Sequence, residues 1–234
     1  MKTDAIISTT GEIGKKAHRT GHEAKFIVFE GLDGSGKSTQ IEILRKRLRE
    51  KGKKVYVTAE PTNSAIGGLI RDTLSNSHKR EPAELAGLFL TDRIAHNVDP
   101  DRGIKKFLSE GTEVICDRYY YSTFAYQGMG TDLQWLFDIN LNCPQIQKPD
   151  LCIFLDVSPQ RCKKRVDEDR FHLEIFENDE RIMEETGALF FDVFEQLGDR
   201  ENIRIVDANR SEEAIADEII ELVTELYGQN AGFQ

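Results

Sequence analysis

The chain predicts a three-layer α/β fold, a five-stranded and mostly parallel sheet flanked by helices. Two observations predict it. Five short apolar runs of strand length alternate with longer stretches patterned as helices, an order that needs βαβ crossovers and covers the sheet on both faces. The first of those runs also leads straight into a glycine-rich loop, a lysine and two hydroxyls, reading FIVFEGLDGSGKST, before a helical pattern begins. A length of 234 residues suits one such domain with a full core, or a domain plus a small lid.

Residues 1–24 mix Lys, Thr, Gly, Glu and His without a long apolar run, so they read as a flexible extension that lacks a signal-peptide core. His18 and His22 lie four apart there and read as solvated side chains rather than metal ligands. From residue 25 onward the chain reads as a single domain, with no internal repeat, low-complexity tract or linker. Its first strand is Phe26–Glu30, followed by the phosphate-type loop and a helix at 38–51. A second strand at 54–58 leads into Glu60, Pro61 and Thr62, then helical patterns at 66–75, 82–97 and 99–109. The third, Glu113–Asp117, runs into Arg118 and Tyr119, with a helix at 132–141. A fourth at 150–156 precedes a basic run and a helix at 174–197; the fifth, 202–206, precedes a helix at 211–227. Ligands of such sheets sit at the carboxyl ends of the strands, so chemistry is expected just after Glu30, Thr58, Asp117 and Asp156.

Composition narrows the partners. A net charge of −10 with 31% charged residues argues against broad nucleic-acid or anionic-membrane binding, so any phosphates are captured locally. No stretch approaches membrane-spanning length. Cys116, Cys143, Cys152 and Cys162 show neither a C-x-x-C pair nor metal-ligand spacing, and Cys116 and Cys152 sit in apolar runs as small hydrophobes. A reduced, cytoplasmic setting is expected.

The loop carries the strongest signal. Gly31, Leu32, Asp33, Gly34, Ser35, Gly36, Lys37 and Ser38 fit G-x-x-x-x-G-K-[ST] in full, between a strand and a helix. Glycines there permit a backbone path along which successive N–H groups turn toward anionic oxygens. Lys37 can reach the β and γ phosphates, and the Ser38 hydroxyl can take one position on Mg²⁺. The positive end of the following helix points at the same place. Asp117 ends a strand beside this loop, where a carboxylate can anchor Mg²⁺ or its waters, and Arg118 can clamp an acceptor phosphate. The alternative is a surface ion pair. Arg161, Lys163, Lys164, Arg165 and Arg170 crowd a ten-residue run that reads as a mobile lid over about 158–175. Some of those cations must simply form a solvated helix face.

With these residues in view, the chain resembles the thymidylate (dTMP) kinases, within the P-loop nucleoside-monophosphate kinases. The segments GLDGSGKSTQ, EPT, LFLTDRIAH, DRYYYSTFAYQG and PDLCIFLDVSP occur in that family's order and spacing, and the likeness covers about residues 25–228. The resemblance implies transfer of the γ-phosphoryl group of ATP to dTMP with Mg²⁺, in a homodimer to which helices 82–97 and 132–141 contribute. It implies that Gly34, Gly36, Lys37, Ser38 and Thr39 hold the ATP phosphates and the metal, and that Asp33 faces the acceptor's 3′-hydroxyl or a metal-bound water. Phe89 would stack on thymine and Arg93, four residues on along the same helix face, would donate to a base carbonyl. Arg71 and Arg118 would bind the acceptor phosphate, with Glu60 ordering the pocket. Thr123 and Gln127 would read the polar edge of the base, and Tyr126 would crowd the 2′ position. Arg165 would pack on adenine, and Arg170 would be the lid arginine that meets the transferring group.

Two positions depart from the family pattern. Ala59 stands directly before Glu60 where many members carry arginine, and Ser35 stands where some relatives place another arginine. The second departure shifts weight onto Arg170. Each aromatic and cation also has a plainer reading: Phe89 as core, Arg93 paired with Asp92 or Glu84. A kinase of the same fold acting on another monophosphate or on a deoxynucleoside remains the alternative, as does a catalytically silent nucleotide-binding module. Neither an NKxD-type segment nor a D-x-x-G switch turn outside the phosphate loop is present.

Overall fold

The computed structural model describes residues 23–75, 80–168 and 180–228. Five parallel strands, β1 (Phe26–Glu30), β2 (Val55–Ala59), β3 (Glu113–Asp117), β4 (Leu151–Asp156) and β5 (Ile203–Asp207), form one sheet in the order β2-β3-β1-β4-β5. β1 lies in the middle and is buried along its whole length, with Val28 opposite Cys116 on one side and Cys152 on the other.

Side-chain alternation along β1 divides the core in two. Ile27 and Phe29 pack on the face covered by α1 (Lys37–Glu50) and α9 (Glu212–Gly228), among Leu44, Leu48, Ile219 and Val223. Phe26 and Val28 point to the other face, among Phe124 of α5 (Tyr120–Gly128), Leu136 of α6 (Leu133–Leu141) and Phe190 of α8 (Glu180–Leu197). A smaller cluster of Ile70, Leu74 and Leu85 joins α2 (Ala65–Ser75) to α3 (Pro82–Val98). The four cysteines are unpaired. Among the described residues no helix is long and apolar enough to cross a membrane.

The strands stand within one residue of their expected bounds. Helix 99–109 is shorter than its sequence pattern: α4 spans only Ile104–Ser109. The Asp99 carboxylate accepts from the N–H groups of Asp101 and Arg102 at 2.8 and 2.7 Å, which makes a turn in place of a first helical turn. Gly103 completes it, since a Cβ there would lie 2.3 Å from the Asp99 carbonyl oxygen. Helix α5 has no counterpart among the expected helices, and the basic run forms α7 (Pro159–Glu168). Of helix 174–197, the described part begins at Glu180. The extension at 1–24 lies outside the described residues except for Glu23 and Ala24, and so do residues 169–175 of the expected lid.

Candidate active site

The chain leaves β1 at Glu30 and turns through Gly34 at φ 81° and Gly36 at φ 97°, a region open to glycine and strained for other residues. Gly34 is required twice over, because a Cβ would sit 2.5 Å from the carbonyl oxygen of Cys162 on α7. Gly36 starts α1 without a side-chain cap, and no acidic residue occupies the first turn, which keeps that end positive. Lys37 is buried and reaches back over the loop, donating to the carbonyls of Gly31 and Leu32 at 3.1 Å each, with Asp33 at 3.6 Å. Arg165 of α7 donates to the Gly34 carbonyl at 2.9 Å and so joins the basic run to the loop.

Just past the end of β3, the strand beside β1, Arg118 adopts φ 67°, the one described non-glycine residue with positive φ. Its guanidinium pairs with the Asp33 carboxylate, donates to the Ser122 hydroxyl at 2.9 Å and lies 5.3 Å from the centre of the Tyr126 ring. Asp117, just before it, lines the same cavity, and its Oδ1 is buried without a hydrogen-bond partner. Beneath both, the fully buried Glu30 accepts from the N–H groups of Tyr119 and Ser122. Burial pushes its carboxyl up to about 7, against the pull of Arg118, of its hydrogen bonds and of Lys37.

A third group comes from β2 and α3. Glu60 is buried, with one oxygen accepting from Arg93 Nε at 2.8 Å and the other meeting His96 Nδ1 at 3.0 Å. His96 Nε2 lies 2.7 Å from the Thr58 hydroxyl. Arg93 also donates to Asn140 Oδ1 at 2.6 Å and to Thr123 Oγ1 at 3.2 Å, so each of its three nitrogens has a partner. The plainer pairings of Arg93 with Asp92 or Glu84 do not form. Glu84 pairs with Arg80, and Asp92 accepts from the Thr62 N–H, the Thr62 hydroxyl and the Ser64 hydroxyl. Arg71 donates to the carbonyls of Pro61 and Thr62 at 3.0 and 2.7 Å.

One continuous cavity of about 740 Å³ unites these parts. Of the expected residues it is lined by Asp33, Gly34, Ser35, Gly36, Lys37, Ser38, Thr39, Glu60, Arg71, Phe89, Arg93, Asp117, Arg118, Thr123, Tyr126, Gln127 and Arg165. Gly31 and Leu32 stay behind the lining and serve through their carbonyls. Arg170 lies outside the described residues. Beyond the expected set, the cavity is walled by Ala208, Arg210, Glu212 and Ile215, where β5 meets α9. The rule of strand carboxyl ends applies to the fifth strand as well as the others, and would have found them. Glu30, Asp92 and His96 carry no local signal; only the folded chain brings them to their partners. Chemically the site offers amide groups and a lysine for a polyphosphate, an apolar and hydrogen-bonding wall for a second small molecule, and Arg118 near both.

A family model described as thymidylate kinase matches residues 29–219. The chain is 37% identical over 208 residues to a probable thymidylate kinase of Pyrococcus horikoshii, covering 85% of this chain and 95% of that one. It is 35% identical over 205 residues to a thymidylate kinase of an Exiguobacterium species, covering 86% and 94%. A probable thymidylate kinase of Methanococcus aeolicus is 40% identical over 200 residues, covering 84% and 94%.

Proposed function

The chain belongs to the thymidylate kinase family, and on that premise we propose that its cavity transfers the γ-phosphoryl group of ATP to dTMP, giving dTDP and ADP. The observation that carries this reading is the single cavity that holds the phosphate loop together with the wall of Phe89, Arg93, Thr123, Tyr126 and Gln127. ATP lies with its phosphates along Gly34, Gly36, Lys37, Ser38 and Thr39, and its base toward Arg165. The thymidylate base stacks on Phe89 and is read by Arg93, Thr123 and Gln127. Its phosphate meets Arg118, and Tyr126 and Asp33 border the sugar. The acceptor oxygen is already ionised at neutral pH, so alignment and positive charge do the work rather than a strong base. Lys37 and Arg118 supply that charge, joined by Arg170 from the lid.

Arg71 supports the acceptor side by fixing the Pro61 and Thr62 carbonyls, the segment that follows Ala59. Glu60 acts by holding Arg93.

The residues present fit a magnesium ion. Asp117 has a buried oxygen without a partner, and Ser38 opens onto the same cavity. Among the described residues no three His, Cys, Asp or Glu side chains gather as a metal site, which suits an ion held largely by nucleotide phosphates. Bound there, magnesium would neutralise phosphate charge; Ser38 and Asp117 would hold it or its waters.

The remaining expectations belong to the same reading: a lid over 158–175, a cytoplasmic enzyme, and a homodimer. Val98 and Trp135, 48% and 39% exposed on α3 and α6, support those helices as the dimer face. The test is ADP release with ATP and Mg²⁺, comparing dTMP, dUMP, ribo-TMP, dCMP, dGMP and AMP. Strong preference for dTMP is expected. Turnover of a different monophosphate alone would overturn the pocket assignment.

A further inference from the structure

Arg118 projects from a left-handed backbone position, between a strand and a helix whose first residues supply no cap of their own. Tyr119, the N-cap of α5, makes no side-chain cap bond. The first amides of such a helix need acceptors, and burial makes an unmet amide costly. Glu30, 89 positions upstream, provides them. Its Oε1 accepts from the Tyr119 N–H at 2.8 Å and from the Ser122 N–H at 3.2 Å. Its Oε2 accepts from the Ser122 hydroxyl at 2.7 Å, and that hydroxyl in turn accepts from Arg118 Nη1 at 2.9 Å.

We infer that Glu30 is a positioning residue, a helix cap supplied from the central strand that fixes α5 and, through Ser122, aims the Arg118 guanidinium into the cavity. Glu30 itself does not line the cavity. Its effect is therefore indirect. The plain alternative is that Glu30 merely fills core space, which an apolar side chain of equal length would do as well or better. The two differ in what they ask of the side chain. A cap needs an acceptor oxygen, which Gln keeps and Met lacks; filling space needs volume, which both keep. The inference rests on the dTMP kinase reading for its kinetic consequence, though not for the cap.

The experiment compares Glu30→Gln, Glu30→Met and Ser122→Ala with the wild-type chain by two readouts. The first is amide hydrogen exchange at Tyr119 and Ser122 without any substrate. Both amides should be slow in wild type and in Glu30→Gln, and at least about tenfold faster in Glu30→Met. The second is kcat/KM for dTMP alongside KM for ATP. Glu30→Met should lose roughly 30-fold or more in kcat/KM for dTMP, with KM for ATP within about twofold. Glu30→Gln should keep at least about ten times the kcat/KM of Glu30→Met. Ser122→Ala cuts only the last link, so it should lower kcat/KM for dTMP while Tyr119 stays protected, and it keeps the test decisive if Glu30→Met does not fold. Equal behaviour of Gln and Met variants, or an unchanged kcat/KM in Ser122→Ala, overturns the inference. If wild type fails to phosphorylate dTMP, the functional reading falls, while amide exchange still decides the cap.

Discussion

Glu60 and Arg93, 33 positions apart, meet at 2.8 Å with both side chains at least 98% buried. Each is the other's charge partner, and almost none of either side chain is exposed. Such a pair is a weak source of net stability, yet breaking it from one side strands a charge. Glu60→Ala should therefore destabilise the fold by about 3–5 kcal/mol, read from urea unfolding. Glu60→Gln, which keeps an acceptor for Arg93, should cost less. A near-neutral Glu60→Ala would mean that Asn140 and Thr123 suffice to hold the guanidinium.

Lys37 tests the phosphate loop. Its ammonium hydrogen-bonds two loop carbonyls, and in the proposed complex it turns to the transferring phosphate. Lys37→Ala should lower kcat by at least about 100-fold, the scale for losing one preorganised donor to transition-state charge. Far-UV circular dichroism and the urea midpoint should stay close to wild type. Retained turnover would contradict the loop assignment.

Base reading is better tested at Gln127 than at Arg93, because removing Arg93 also strands Glu60. Gln127 is buried and lines the cavity. Gln127→Leu keeps the bulk and removes the amide. The expected loss in kcat/KM for dTMP is roughly 10- to 100-fold, with KM for ATP unchanged. An equal loss for every monophosphate would assign Gln127 to packing.

These contrasts show what the sequence could carry. Continuous apolar runs such as FIVFE announce buried strands, and G-x-x-x-x-G-K-S announces a phosphate loop, because both are written in adjacent residues. The helix at Tyr120–Gly128 was not legible, since three consecutive tyrosines are poor helix formers. It exists because those rings are buried and because Glu30 caps it from the end of β1. Likewise Thr58, His96 and Glu60 form a chain only once β2 and α3 are packed together. Asp92, beside Arg93 in sequence, turns away from it to hold the loop at Thr62 and Ser64. Local pattern announces most of the elements; partners 28 positions apart or more set the geometry.

Glu30 also fixes a pH dependence. Its carboxyl is raised from 4.5 to about 7, first by burial, with Arg118, Ser122, Tyr119 and Lys37 lowering it. The native state thus binds this proton more tightly than the unfolded chain does. Where the native state holds more protons, stability falls as pH rises. The contribution of Glu30 is therefore full below pH 4.5 and is lost as pH climbs through 7. Between pH 5 and pH 7 that loss amounts to about 2 kcal/mol. Glu30→Gln cannot titrate, so its stability should fall less over that interval, by about the same amount. Urea unfolding of both proteins at the two pH values measures the difference. Parallel pH profiles would show that Glu30 stays ionised throughout, its burial offset by Arg118 and the amides it caps.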